Sequence, residues 1–320
     1  MADEQDGSPT IPEVGPWAQA KLDILGRYLS AYTTVFHGTN RTRAVKGRDP
    51  FKTVYVDAFA GAGTARIRQG EPSVPAPAAL PLVETVRDQD PGVRLVIAGS
   101  PRRALEVAHP FDVYVFIEQA PDRLALLNEL ATEFGARLGP NRVLVRAGDC
   151  NAYLQNQLLD PRRDWMVWRG LVFLDPFGMD VPWETVERLG ATRSIEVFIN
   201  FPLHMCIQRF MRRNPDEITP AEYDRLDRYF GGRGWFDQAY ERRTNMFAAS
   251  AIVKRDDANE RLLAWYRGRL AQHFGYVSPA GLINNTVGGP LYYLIHAGPN
   301  KTGSKIASEV LERPGKAARR

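Results

Sequence analysis

The chain has 320 residues, 44% of them hydrophobic and 24% charged, the balance of a globular protein of one or two domains and not of a disordered chain. Forty-one Lys and Arg against 37 Asp and Glu leave a formal charge of +4, which permits an anionic partner without requiring one. Two cysteines, Cys150 and Cys206, exclude a disulfide framework and a four-cysteine zinc site.

Residues 1–16 are polar and acidic, carry Pro9, Pro12 and Pro16, and read as a disordered leader without the basic and apolar regions of a secretory signal. Leu22, Leu25, Tyr28 and Tyr32 recur at helical spacing and predict a helix from Trp17 to about Tyr32. Residues 37–50 read as a basic loop. Short Val-, Ile- and Phe-rich runs then predict buried strands at Thr53–Phe59, Val113–Glu118, Arg142–Ala147, Leu171–Asp175 and Ile195–Phe201. Nearly continuous apolar strands are those of a parallel sheet covered on both faces. Helical patterns lie between them at Pro121–Leu138, Asn151–Asp160 and Trp183–Leu189, so the alternation predicts an α/β fold.

From Asp57 to Glu118 the chain runs 61 residues, where a simple βαβ unit needs about 30. The Pro-rich stretch 69–98 is therefore expected as an insertion, with a short helix at Ala79–Asp88 and a short strand at Val93–Ala98. The crossover helix is expected to open at Gly99-Ser100-Pro101, with Ser100 as N-cap. Residues 203–275 read as mostly helical, clearest at Glu222–Tyr229 and Asn259–His273. Tyr276–Pro279 and Leu291–Ala297 predict a final antiparallel pair, and residues 311–320 a basic tail. No run approaches the 18 apolar residues of a membrane span, so no membrane association and a cytoplasmic location are expected.

The segment Val56-Asp57-Ala58-Phe59-Ala60-Gly61-Ala62-Gly63 takes a hydrophobic strand into a small-residue loop. Such a loop lets backbone approach a ligand, and it also makes a tight turn with no ligand; the pattern alone fits both. It lacks the Gly-Lys-Ser/Thr of a phosphate loop, and Arg66 stands where a third dinucleotide-fingerprint glycine would be. Acids close four successive strands: Asp57, Glu118, Asp149 and Asp175. One such acid is commonly an N-cap, but carboxyl ends of parallel strands line the ligand crevice. An acid after the second strand suits ribose hydroxyls, and one after the third suits an adenine amine.

These segments resemble the nucleotide-side motifs of class I S-adenosylmethionine-dependent methyltransferases. With Gly99-Ser-Pro-Arg-Arg-Ala-Leu105, Leu174-Asp-Pro-Phe-Gly178, Trp183-Glu-Thr-Val186, Asn200-Phe-Pro202, Tyr229-Phe-Gly231, Trp235 and Leu291-Tyr-Tyr-Leu294, they are similar to one family in particular, the three-Cys-motif partner proteins (TcmP). The similarity covers most of residues 17–310. It implies a Rossmann-like methyltransferase sheet, mostly parallel with an antiparallel last strand, and a methyltransferase-like domain over 17–310 with inserts at 69–98 and 203–258. It implies S-adenosyl-L-methionine as cofactor. Asp57, Phe59, Gly61 and Gly63 would face its methionine end, Ser100 would help at the helix start, Glu118 would hold the ribose, and Asp149 would face the adenine beside Cys150. Asp175, Pro176 and Phe177 would meet the methyl acceptor, the acid and the proline carbonyl taking an amine hydrogen and the ring stacking a base. Asn200-Phe201-Pro202 either shapes that pocket or ends the strand.

The function expected is methyl transfer, with nucleic acid the favoured acceptor. The alternative is a non-catalytic cofactor-binding or sensor subunit working with a three-Cys-motif protein. An NAD-dependent oxidoreductase is disfavoured, because a ribose-binding acid lies about 20 residues past the glycines in that fold. Arg209, Arg212, Arg213, Arg242 and Arg243, with Tyr229, Trp235, Phe236 and Tyr240, read either as a nucleic-acid groove or as solvated helix faces. His37, His109, His204, His273 and His296 show no metal spacing, and no metal site is expected.

Overall fold

The computed structural model describes residues 11–67, 96–244 and 250–312. The expected helix at 79–88, most of the 69–98 insertion, residues 1–10 of the leader and 313–320 of the tail lie outside them. The described residues form two compact units, one within residues 11–150 together with 285–287, the other within 151–284 together with 288–312.

The first unit opens with a two-residue strand, β1 (Glu13–Val14), and a long helix, α1 (Trp17–Val45). The helical repeat read from the sequence is its buried stripe: Leu22, Leu25, Tyr28, Leu29 and Tyr32. The helix overruns its expected end by 13 residues, so 37–45 is helix and not loop. The apolar repeat stops at Phe36, and beyond it the helix is held by polar groups that no periodicity records. The Asn40 amide donates to the Phe51 carbonyl and accepts from the Phe51 N–H, both at 2.9 Å. The Arg43 guanidinium lies 4.0 Å from the centre of the Phe51 ring.

Then follow β2 (Lys52–Asp57), β3 (Thr64–Ile67), β4 (Val96–Ala98), α2 (Ser100–Leu105), β5 (Val113–Glu118), α3 (Pro121–Leu138) and β6 (Val143–Ala147). β5 pairs in parallel with β2 on one side and β6 on the other. β2 and β5 are buried along almost their whole length, as their unbroken apolar runs require. β3 makes a small separate sheet, parallel to β1 and antiparallel to β4. Ala18, Leu22, Ala65 and Ile97 form a core beneath it. Residues 13–14, expected within a disordered leader, are thus a strand edge.

After β6, α4 (Cys150–Tyr153) passes into a π-helical turn of the second unit, Leu154–Leu158, in place of the regular helix expected to Asp160. β7 (Trp168–Leu174), α5 (Trp183–Ala191) and β8 (Ile195–Phe201) form a parallel βαβ unit. A second π-turn, Leu203–Ile207, and the short α6 (Gln208–Phe210) lead to α7 (Pro220–Phe230), opened by a Thr219–Glu222 capping box, and α8 (Gly234–Ala239). The expected helical insert also contains an antiparallel hairpin, β9 (Tyr240–Thr244) with β10 (Ser250–Lys254). Alternation there is masked by the charged run Glu241-Arg242-Arg243. α9 (Ala258–Phe274) follows the hairpin.

β11 (Tyr276–Val277), β12 (Gly281–Asn284) and β13 (Pro290–Gly298) follow; β13 runs antiparallel to β8 and carries both shorter strands antiparallel to itself. A last helix, α10 (Lys301–Glu312), had no counterpart in the sequence reading. Trp183, Tyr229, Phe230, Trp235 and Tyr266 are buried together, with Tyr229 and Tyr266 stacked at 6.0 Å. The fold class is the one expected: α/β, parallel in its long inner strands, with an antiparallel last strand and a largely helical insert.

Candidate functional site

In the first unit the glycine loop is tied to the carboxyl ends of two adjacent strands. Asp57 ends β2 fully buried. Its carboxylate accepts from the Tyr55 hydroxyl and from the Phe59 N–H, each at 3.3 Å. Asp57 therefore braces the turn from inside. Tyr55, its partner, was not read from the sequence.

Glu118, at the end of β5, gathers the loop. Its Oε2 accepts the Gly61 N–H at 3.0 Å and lies 3.5 Å from the Arg123 guanidinium. Its Oε1 accepts the N–H groups of Gln119 and Ala120, at 2.8 and 2.9 Å, where α3 begins. The carboxylate thus fixes the turn that leads into α3, next to the positive end of that helix, while pinning the loop. Ala60 N–H donates to the Ile117 carbonyl, and Gly148 N–H to the Glu118 carbonyl, each at 3.0 Å. The second bond draws in the turn carrying Asp149, which is exposed, and Cys150, which is buried and in no disulfide.

Gly61 and Gly63 both have positive φ, 63° and 75°, but they do different work. A Cβ on Gly63 would fall 2.7 Å from Leu130 Cδ2, whereas one on Gly61 would meet nothing within 4 Å. Gly63 is packed inward and Gly61 faces open space. The Gly63 carbonyl accepts the Gly99 N–H at 2.9 Å. Gly99, not Ser100, is the N-cap of α2; Ser100 is its first residue and is buried. Of the eight residues expected around a nucleotide, Gly61 and Glu118 are bonded to each other and Phe59 to Asp57, while Gly63, Ser100, Asp149 and Cys150 adjoin the loop or its bonded neighbours Gly99 and Gly148. Arg123 enters that group unannounced by any motif.

In the second unit Asp175 follows β7, and its Oδ1 accepts the Asn200 amide N–H at 3.0 Å. Asn200 ends β8 and is 5% exposed. Its own Oδ1 is buried without a hydrogen-bond partner among the described residues. Pro176 is buried, while Phe177 is 82% exposed. A Cβ on Gly178 would come 3.6 Å from the Cys206 sulfur, and burial pushes that thiol's pKa up. Burial likewise lowers the pKa of His204, in the turn after β8.

The stacking groove imagined from aromatic residues loses three members, since Tyr229, Trp235 and Tyr240 are core side chains. Arg212 pairs with Glu222 at 2.8 Å, and Arg243 with Glu241 and Asp256 at 2.6 and 2.9 Å. A cavity of about 450 Å³ remains between Phe236, Tyr240, Arg242, Ile252 and Arg255, with Asp237 and Glu241 balancing its charge. Among the described residues no three His, Cys, Asp or Glu side chains gather as a metal site, and no helix is long and apolar enough to cross a membrane.

No family model matches the chain and no curated protein does; membership of the three-Cys-motif partner family is not shown. Solved structures resemble it at low identity. A Legionella pneumophila protein of the DUF519 family is 13% identical over 92% of both chains, with a TM-score of 0.48. A conserved hypothetical protein of Streptococcus pyogenes is 13% identical over 67% of this chain and 91% of its own, and M. jannaschii TYW2, solved in complex with AdoMet, is 14% identical over 76% and 67%; both have TM-scores of 0.28. Likenesses this loose transfer neither a site nor an activity.

Proposed function

We propose that this protein is an S-adenosylmethionine-dependent methyltransferase whose acceptor is an amine of a nucleic-acid base. The observation that carries the reading is the Glu118 hub. A buried carboxylate at a parallel strand's carboxyl end pins a glycine loop whose Gly61 faces open space. That is where an α/β fold takes a nucleotide.

The residues fit such a group. Glu118 can accept ribose hydroxyls once Arg123, the longest of its four contacts, moves aside. Gly61 lets the backbone come close, and Asp57 and Phe59 fix the turn. Asp149 is exposed for an amine donor, with the Cys150 backbone beside it, and Ser100 supports the start of α2. S-Adenosylmethionine, when bound, supplies a sulfonium-activated methyl group. In this reading Asp175 would take up the proton that the acceptor amine releases on methylation. Pro176 would set the turn beside that carboxylate, and the exposed Phe177 ring offers a stacking face. Catalysis is mainly alignment. The finer assignment, to a three-Cys-motif partner protein working with a three-cysteine protein in the cytoplasm, rests on the sequence motifs alone.

Calorimetric titration of S-adenosylmethionine, S-adenosylhomocysteine and NAD tests the reading. Binding of the first two by the wild type, lost in Glu118→Ala, supports it. Binding of NAD alone, or of none, rejects it.

A further inference from the structure

Asn200 is a buried side chain with one hydrogen-bonding group used and one idle. Its amide N–H donates to Asp175 at 3.0 Å. Its Oδ1 is enclosed and has no partner among the described residues. A buried acceptor left unpaired is destabilising, so such groups are rare and are commonly completed by a donor from outside the chain. The opposite amide orientation gives no relief, because it would set two oxygens against each other at Asp175.

The neighbouring features give the missing donor its character. Asp175 and the Asn200 oxygen are both acceptors, on the adjacent ends of the parallel strands β7 and β8. A carboxylate or carbonyl substrate would bring another acceptor and repel both. A primary amine brings two hydrogens. The exposed Phe177, two residues after Asp175, suits an amine carried on a flat ring.

We infer that Asn200 is a specificity-determining residue: its Oδ1 accepts a hydrogen of the exocyclic primary amine of a nucleobase, adenine or cytosine, while its N–H holds the Asp175 carboxylate in place. This rests on the acceptor assignment of the proposed function. It adds a residue outside the Asp-Pro-Phe segment and restricts the acceptor to primary amines.

A chemical comparison tests it without turnover. Short single-stranded oligonucleotides containing adenine or purine, and cytosine or 2-pyrimidinone, differ only in the amine. Wild-type protein should bind the amine-bearing member of one pair about tenfold more tightly, the value of one hydrogen bond near 1.4 kcal/mol. Asn200→Leu, similar in size and without polar atoms, should bind both members equally while its S-adenosylmethionine affinity is unchanged. Asn200→Ala should lose the discrimination too, which guards against misfolding of the leucine variant. Equal binding of both members by wild type, no binding of any, or discrimination retained in both variants would overturn the inference. Failure of the wild type to bind S-adenosylmethionine would instead reject the methyltransferase reading, and the paired oligonucleotides would still report on Asn200.

Discussion

The Gly61 N–H donates to Glu118 Oε2 at 3.0 Å, across 57 residues of sequence. One carboxylate thus fixes both the loop after β2 and the start of α3. Glu118→Ala should cost about 2–3 kcal/mol of stability, since hydrogen bonds to a charged acceptor contribute roughly 1.5–3 kcal/mol. It should also abolish cofactor binding. Urea denaturation and calorimetry read the two effects separately.

Arg123 lies 3.5 Å from the same carboxylate, with its side chain 30% exposed. A partly exposed pair of this kind contributes about 1 kcal/mol or less. Arg123→Met should leave stability nearly unchanged and raise affinity for S-adenosylmethionine and S-adenosylhomocysteine by the same factor, because it releases a Glu118 lone pair for the ribose. Weaker binding of both would show instead that Arg123 contacts the ligand.

The two loop glycines should respond differently to alanine. Gly61→Ala meets no neighbour and should cost only the left-handed backbone penalty, about 1–2 kcal/mol. Gly63→Ala adds the 2.7 Å encounter with Leu130, and overpacking contributes a further 1–3 kcal/mol or so. Gly61→Asn should recover most of the loss, since asparagine tolerates that conformation. Melting temperatures of the three variants decide the order.

Phe177 is so exposed that Phe177→Ala should shift stability by less than about 0.5 kcal/mol. Oligonucleotide affinity should fall by roughly 1–3 kcal/mol, the contribution of one stacked base, with cofactor affinity unaltered. An unchanged oligonucleotide affinity would remove Phe177 from the acceptor site.

Burial holds His204 below its ordinary value of 6.5, against smaller opposing effects of Gln208 and Glu260. Folded protein therefore binds fewer protons than unfolded chain in the window beneath that value. Stability should rise with pH through the window and fall as the solution is acidified within it. His204→Gln should flatten this dependence, read as urea midpoints at about pH 5 and about pH 7.

The strands and the acids that end them were legible because apolar runs and charge boundaries are local. Val113–Glu118, Ile195–Phe201 and Pro121–Leu138 fall where the pattern puts them. The second half of α1 was not legible, since the Asn40–Phe51 bonds that hold it join residues 11 apart. The β9–β10 hairpin was hidden by its arginines. Asn200 stood in the sequence as a choice between pocket and strand end. Only the pairing of Asp175 with Asn200 turned one of its atoms into an unmet acceptor. Arg123 had no signal beyond its position in the first turn of the helix that follows Glu118.

The bond from Gly99 to the Gly63 carbonyl, with the antiparallel pairing of Thr64 to Ala98, clips the chain shut on either side of the stretch between β3 and β4. Whatever length lies inside the clip, both exits are set by those two strands. Closure entropy grows only logarithmically, so doubling such an excursion costs about 0.6 kcal/mol. A change in the length of that stretch should therefore cost little and leave the glycine loop intact.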